Sequence, residues 1–256
     1  MTVIDAVKTL THKLRLFGFH TAVEKRLAEA QGQNLDHAEF LRLLLEDETL
    51  FRRGQVTKRL ITKARFRTPV DLEDWDLSFD RGIPKAKLNE LAHGSFHHAR
   101  QNLVILGKTG EGKTHLAQAV GRRLCQNEIR VAFASVNLLM EEILSQRIAG
   151  RYLIFIRNFN RAEVLILDDF GLRNYTHEEA TCLVDILEER YRKGTVIVTS
   201  QVDPRGWIKL FEDPVIAEAI VDRLVNPSQK IMLQGGSYRE RIGLPPKTVE
   251  SNSKVK

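Results

Sequence analysis

The 256-residue sequence predicts an α/β fold, a mostly parallel sheet with helices on both faces, preceded by a small all-helical N-terminal domain. Three observations predict it. From about residue 86 onward, short apolar runs alternate with stretches of helical period, and strands joined through helices pair in parallel. Residues 1–67 contain few turn signals and carry apolar residues at helical spacing. A hydrophobic content of 43% with 28% charged residues is a globular balance, sufficient for a packed core.

The helical region holds the segment NLDHAEFLRLLLEDE. Asp36 followed by Glu39 is a capping-box start, and Phe40, Leu43, Leu44 and Leu50 recur on a helical period. The stretch 66–85, with two prolines and a cluster of acids, breaks the pattern. It reads as a linker over 68–85 that crosses the surface of the next domain, anchored by Trp75 and Phe79. The second domain spans 86–243. Its helices are expected at 86–98, 113–127, 136–148, 176–193 and 214–225, the fourth opening on a Thr176–Glu179 capping box. Its strands are NLVILG, RVAFASV, VLILDD, TVIVTS and QKIMLQG. The polar tail 244–256 is expected to be disordered.

A net charge of +6 points to a polyanionic partner, nucleic acid before membrane. No apolar run approaches the roughly 18 residues of a membrane helix, and the N-terminus carries an acid and no secretory apolar core. Cys125 and Cys182 lie in helical segments without metal-ligand spacing and read as reduced core thiols. These features predict a soluble cytoplasmic protein. His93, His97 and His98 lack a further ligand at useful spacing, so no metal is expected there.

GKTGEGKT, residues 107–114, matches the phosphate-cradling pattern G-x-x-x-x-G-K-[ST] and stands between a strand and a helix, the context such a loop requires. Its glycines turn the backbone so that N–H groups aim at phosphate oxygens, and the helix N-terminus adds partial positive charge. The nucleotide-binding set is therefore Gly107, Lys108, Thr109, Gly110, Glu111, Gly112, Lys113, Thr114 and His115. Lys113 is assigned to the β- and γ-phosphates and the Thr114 hydroxyl to Mg²⁺. The chain is thus expected to be a P-loop NTPase that uses a nucleoside triphosphate and Mg²⁺.

The run VLILDDFG ends a strand in two adjacent acids. Asp168 is placed on the metal, and Asp169 is the candidate base or water-orienting group for attack on the γ-phosphate. Aspartate is shorter than glutamate by one carbon–carbon bond, about 1.5 Å. A misplacement of about 1 Å costs on the order of a hundredfold in rate, so slow basal hydrolysis is expected. TVIVTSQ supplies Thr199 and Gln201 as polar residues beside the γ-phosphate. Arg223, on a late helix, is a candidate to act on a neighbouring protomer's nucleotide, with a surface ion pair to Asp222 as the alternative.

The Walker-type loop, LILDDFG, VTSQVDP and VDRL, in this order and spacing, resemble the IstB-like ATP-binding proteins, ATPase helpers of insertion-sequence transposases related to the DnaC helicase loader and the DnaA initiator in the AAA+ class. LRLFGFHTAVEKRL, FLRLLLEDE, LEDWDLSF, GWIKLFEDPVIAEAIVDRL and SYR are similar too, so the resemblance covers nearly the whole chain. It implies an ASCE-type AAA+ core in which Asp169 is catalytic, Gln201 stands at a sensor position where Asn is more frequent in the wider class, and Arg223 is the arginine finger. Few residues remain after Arg223 for the small helical lid of many AAA+ proteins, so the resemblance does not itself supply a second sensor, for which Arg239 is the one candidate. It also implies ATP-dependent homo-oligomers assembled on double-stranded DNA, a transposase partner that stimulates hydrolysis, and disassembly after hydrolysis. The helical N-terminal domain would then serve protomer and partner contacts.

FRRGQVTKRLITKARFR, residues 51–67, fits such a DNA contact. It carries Arg52, Arg53, Lys58, Arg59, Lys63, Arg65 and Arg67 and no acid, and no base-reading motif accompanies it, so little sequence preference is expected. The alternative is a solvated basic helix face. Two further functional readings compete with the transposition helper: a helicase loader with the same core, and a nucleotide-gated binding module without turnover. The adjacent Asp168 and Asp169 argue against the last.

Overall fold

The structure is a computed structural model that describes residues 2–191 and 193–243, without the side chains at positions 239, 241 and 242. The expectations for the Arg239 side chain and for the tail 244–256 lie outside these residues. The chain divides into two compact units, Met1–Thr62 and Lys63–Lys256.

The first unit is helical. Helix α1 (Val3–Lys13) begins in a capping box in which Thr2 and Asp5 satisfy each other's backbone N–H groups. Helix α2 (Phe17–Gln33) has no side-chain cap of its own, and the carboxylate of Glu48 fills that role, accepting the N–H groups of Gly18 at 2.7 Å and Phe19 at 3.1 Å. In helix α3 (His37–Ala64), Asp36 caps as its spacing predicts, accepting the Glu39 N–H at 2.9 Å. Arg26 of α2 makes two bonds to Asp47 of α3, at 2.7 and 2.9 Å. Leu44 is fully buried, whereas Leu50, expected on the same stripe, is 66% exposed. The close approach of Gly18 explains the difference: a Cβ there would meet Phe51, Asp47 and Glu48 at 2.6–2.7 Å. The face of α3 turned inward therefore centres on positions 44, 47, 48 and 51, and Leu50 lies about 100° off it.

The second unit carries one five-stranded sheet in the order β2-β3-β4-β1-β5, every pairing parallel. The strands are β1 (Asn102–Leu106), β2 (Val131–Ser135), β3 (Val164–Phe170), β4 (Thr195–Ser200) and β5 (Ser228–Met232). Strands β1 and β4 are buried at every position and β3 at all but Asp169, as central parallel strands covered on both faces must be. The helices are α4 (Lys85–Ala92), α5 (Ser95–His98), α6 (Lys113–Gln126), α7 (Val136–Ile148), α8 (Tyr152–Phe159), α9 (His177–Arg190), α10 (Pro214–Val225) and α11 (Tyr238–Gly243).

Three local features differ from the sequence reading. The helix expected at 86–98 is broken into α4 and α5 by Gly94 in the left-handed region at φ 69°. Helix α8 follows a left-handed turn at Gly150 and was not foreseen, its apolar residues having no strand partner. Pro204–Leu210 forms 3-10 turns after β4. Residues 66–85 pack along α6 and share its compact unit, with Trp75 only 5% exposed and Phe79 against the Tyr238 ring at 5.6 Å.

Cys125 and Cys182 are buried free thiols, and burial raises the pKa of each. His97 meets the Thr195 hydroxyl at 3.0 Å, and His93 meets the Asn89 carbonyl at 2.6 Å. Among the described residues there is no cluster of three or more metal-ligating side chains of His, Cys, Asp or Glu, and no helix long and apolar enough to cross a membrane.

Candidate functional site

The site forms where β1 runs into α6 through Gly107–Gly112. The turn is built on positive φ values, 153° at Gly107, 89° at Gly110 and 96° at Gly112, the last of which caps α6. Space is limiting as well: a Cβ on Gly110 would lie 2.4 Å from the Ser237 hydroxyl, so the turn needs glycine on two counts. Lys113 opens α6, is 6% exposed, and donates its ammonium to the Lys108 carbonyl at 2.8 Å across the loop. Glu111, 4% exposed, curls into the loop and accepts the Lys108 N–H at 2.6 Å. Thr109 donates its hydroxyl to Gln201 Oε1 at 2.7 Å, tying the loop to the end of β4. His115 is partly buried against Trp75 (ring centroids 5.8 Å apart), and burial, aided by the Arg81 charge, holds its pKa below the usual histidine value.

The two acids sit at the end of β3, next to β4, and take different conformations. Asp168 is fully buried, and its Oδ1 accepts hydroxyls from Thr114 at 2.9 Å and Thr199 at 2.6 Å. Its Oδ2 is buried without a hydrogen-bond partner among the described residues. Burial pushes the Asp168 carboxyl above the ordinary carboxylate range, against the opposing pull of the Thr199 bond. A buried carboxylate with one open oxygen beside a threonine hydroxyl is an oxygen donor set of the kind Mg²⁺ takes, so Asp168 and Thr114 fit that ion. Asp169 adopts φ 60°, at a register shift between Leu167 and Phe170. Aspartate tolerates this left-handed conformation better than most side chains. The bulge breaks the strand alternation, and the Asp169 N–H is received by the Thr199 hydroxyl at 2.9 Å. Thr199 therefore touches both acids, a role its strand-end position alone did not reveal.

Arg223 lies elsewhere in the same protomer. Its backbone carbonyl accepts from Asn102 Nδ2 at 2.8 Å, which fixes it at the start of β1, whereas the cradle follows the end of that strand. Five residues of strand, on the order of 13 Å, separate the two. Its guanidinium pairs with Glu188 and donates to the Ala219 carbonyl at 2.9 Å. The partner is thus Glu188 of α9, and the bond anticipated to Asp222 is replaced by one from Asn226 to Asp222.

The seven basic residues of 51–67 are also dispersed. Arg52, Arg59 and Lys63 recur on one face of α3, but Arg52 is bonded to Glu48 at 2.7 Å. Lys58 and Arg53 project from other sides of the helix. Arg65, at φ 59°, ends the helix and lies 3.6 Å from Glu142. Arg67 is beyond α3, with its N–H on Gln118 at 2.7 Å and its guanidinium 5.9 Å from the Phe133 ring.

Two residues near the cradle, Arg81 and Gln118, had no part in the sequence reading. Arg81, 2% exposed, stacks on Trp75 at 3.3 Å and on Tyr238 at 4.7 Å, and the Tyr238 N–H donates to the Gly110 carbonyl at 3.0 Å. Gln118 is buried on α6 one turn beyond Thr114. The available signal was a polar residue in the small, apolar run LAQAVG of a helix that must pack on a sheet.

Comparison with known proteins identifies the family and the fold. A putative ATP-binding protein in an insertion sequence of Mycobacterium tuberculosis is 33% identical over 243 residues, covering 94% of this chain and 97% of the relative. The putative ATP-binding protein of insertion sequence IS21 from Pseudomonas aeruginosa is 32% identical, covering 91% of this chain and 88% of that one. Among solved structures, DnaI superposes with a TM-score of 0.54 at 20% identity over 70% of this chain and 92% of its own, and AMPPCP-bound DnaA from Aquifex aeolicus with 0.54 at 18% over 70% and 54%. At these identities the likeness establishes the fold alone, a P-loop AAA+ core. The family model described as IstB-like ATP binding protein matches residues 9–244, and the chain belongs to that ATP-binding family of insertion sequences.

Proposed function

We propose that this protein is a Mg²⁺-dependent ATPase that assembles on double-stranded DNA and serves a transposase, with hydrolysis driving disassembly. The observation that carries the reading is the Thr114–Asp168–Thr199 network with Asp169 beside it. A binding module without turnover has no need of a second acid held in a left-handed turn beside the metal-type carboxylate.

The residues divide the work as follows. Backbone N–H groups of 107–114 and the Lys113 ammonium hold the phosphates. Thr114 and Asp168 would hold Mg²⁺, which would supply positive charge to offset that of the phosphates. Asp169 orients the attacking water and takes its proton, and Thr199 fixes the backbone that carries it. Gln201, bonded to Thr109, stands at the loop edge to sense the γ-phosphate.

Arg223 completes the site of a neighbouring protomer. Its backbone sits at the start of β1, about one strand length from its own cradle, which supports a contribution in trans and an activity that depends on assembly. The exposed cations of α3, with no base-reading pattern, suit a DNA contact of low sequence preference. The names of the relatives, ATP-binding proteins of insertion sequences, support a transposase as the partner.

The test is ATP hydrolysis by the purified protein across a protein titration, with and without double-stranded DNA. Turnover that rises with DNA and faster than linearly with protein is expected. Turnover linear in protein and indifferent to DNA rejects the assembly.

A further inference from the structure

Gln118 joins two parts of the second unit that the sequence keeps apart. Its Oε1 accepts the N–H of Arg67 at 2.7 Å and that of Thr68 at 3.1 Å, and its Nε2 faces the Thr114 carbonyl at 3.5 Å. Thr114 in turn donates its hydroxyl to Asp168. The side chain is 1% exposed, so both N–H groups have left water for this one amide oxygen. Replacing it with an alkyl group would strand two buried donors without an acceptor.

The contact belongs to a longer strap. Phe66 lies over Gly121, where a Cβ would come within 2.9 Å of the ring, and packs against Phe133 at 6.3 Å. Arg122 donates twice to Asp71, at 3.0 and 3.2 Å. Trp75 reaches His115. Residues 66–75 thus run along one face of α6, through positions 121, 118, 122 and 115, toward the turn that bears Lys113 and Thr114. Of these contacts, only Gln118 touches both the strap backbone and that turn.

We infer that Gln118 is a positioning residue that locks the 66–75 strap to the Thr114 turn, so that Mg²⁺-dependent seating of the nucleotide and ordering of the strap occur together. The inference rests on the proposed Mg·ATP site and extends it to the segment that closes the basic stretch. Thr114 itself binds; Gln118 acts through it.

The test combines amide hydrogen exchange with Mg²⁺ titration of nucleotide binding, followed with a fluorescent ATP analogue. In the native protein, exchange at Arg67 and Thr68 is expected to slow by about fivefold or more with Mg·ATP relative to ATP in EDTA, because local opening there now has to break the seated turn. Gln118→Leu is expected to raise the Mg²⁺ needed for half-saturation by about tenfold, through misplacement of Thr114, while leaving the EDTA affinity unchanged. Gln118→Glu keeps an acceptor for both N–H groups and is expected to restore most of the strap's response. Should Gln118→Leu fail to fold, the native exchange and Gln118→Glu still decide. If the native protein binds the analogue but exchange in 66–75 ignores Mg²⁺, or if Gln118→Leu has the native Mg²⁺ requirement, the inference is wrong and the site stands. If the native protein binds no ATP, the site falls and the inference with it.

Discussion

The Thr199 hydroxyl donates to Asp168 at 2.6 Å and accepts the Asp169 N–H at 2.9 Å, so one side chain of β4 fixes the carboxylate of the first acid and the backbone of the second. A strand-end threonine is ordinary. One that spans two strands and holds both acids in place is a determinant of the site's geometry. Thr199→Val keeps the shape and removes both bonds. It is expected to lower kcat by about ten- to a hundredfold, the cost of a misplacement near 1 Å, and to destabilise the fold by about 1–3 kcal/mol, since the Asp169 N–H loses its acceptor. Steady-state kinetics and denaturant melts check the two effects separately; an unchanged kcat would mean that Asp169 is held by other contacts.

In the proposed reaction, turnover depends most directly on Asp169. Asp169→Asn preserves size and tolerance of φ 60° while removing the base. Nucleotide affinity should stay within a factor of about two, and kcat should fall by about 10²–10⁴. Native turnover in this variant would remove Asp169 from the reaction and reopen the binding-module reading.

Asp168 makes the site sensitive to pH. Burial raises its carboxyl above the ordinary value of 3.8. A raised folded-state pKa means that the contribution of this group to stability is complete below that ordinary value and is lost as the pH climbs through the folded value. Without Mg²⁺, the protein should therefore carry a buried uncompensated charge at neutral pH. Asp168→Asn should raise the melting temperature of the nucleotide-free protein by about 2–4 °C, the shift of roughly 1 kcal/mol in a chain of this length. It should also abolish the extra stabilisation by Mg·ATP over ATP in EDTA. In the native protein that extra stabilisation should shrink as the pH falls from neutrality toward the carboxylate range, because protonation competes with the metal. Calorimetric melts at several pH values measure it, and an increment that grows on acidification would contradict the metal assignment.

The phosphate loop was legible because its chemistry is local: glycine spacing, strand before, helix after, all within one turn of chain. The strand run was legible for the same reason, since each buried strand is a continuous apolar segment. What the sequence could not reveal depends on contacts between distant segments. Leu50 has the period of a buried residue and lies outside because Gly18 draws a neighbouring face of α3 inward. The bulge at Asp169 follows from the pairing of β3 with β4, and Gln118 acquires its meaning only when residues 66–75 lie along α6. The basic stretch looked like one unit because charge is countable in sequence; the Arg52–Glu48 pair spans one helical turn of α3, whereas the approach of Arg65 to Glu142 is set by packing between distant segments.

On α3, Arg59 and Lys63 are exposed one turn apart and are the pair that tests the proposed DNA contact. Reversing both to glutamate should weaken DNA binding at low salt and lower the slope of log affinity against log salt by about 1.8, two contacts at about 0.9 each. ATP binding should not change. A salt slope equal to that of the native protein would move the DNA contact to other residues.

Arg223 offers the sharpest test of the proposed assembly, because its backbone sits at the start of β1, a strand length from its own cradle. Arg223→Ala should reduce assembled turnover by about 10³-fold, the lower end of what such an arginine supplies, with nucleotide affinity intact. Lys113→Ala should be inactive for a different reason, having lost its phosphate contact. Mixing the two variants pairs an intact Lys113 cradle with an intact Arg223 from the neighbour at some interfaces. Partial activity should then return, whereas each variant alone stays inactive. The pairing with Glu188 sets the starting state: the guanidinium must exchange that carboxylate for a neighbour's phosphate, and a surface pair of this kind resists by no more than about 1 kcal/mol. Recovery in the mixture requires that the two residues act from different chains. Failure to recover, with both variants shown to assemble on DNA, would confine Arg223 to its ion pair on α9 and leave the source of trans activation elsewhere on the protomer surface.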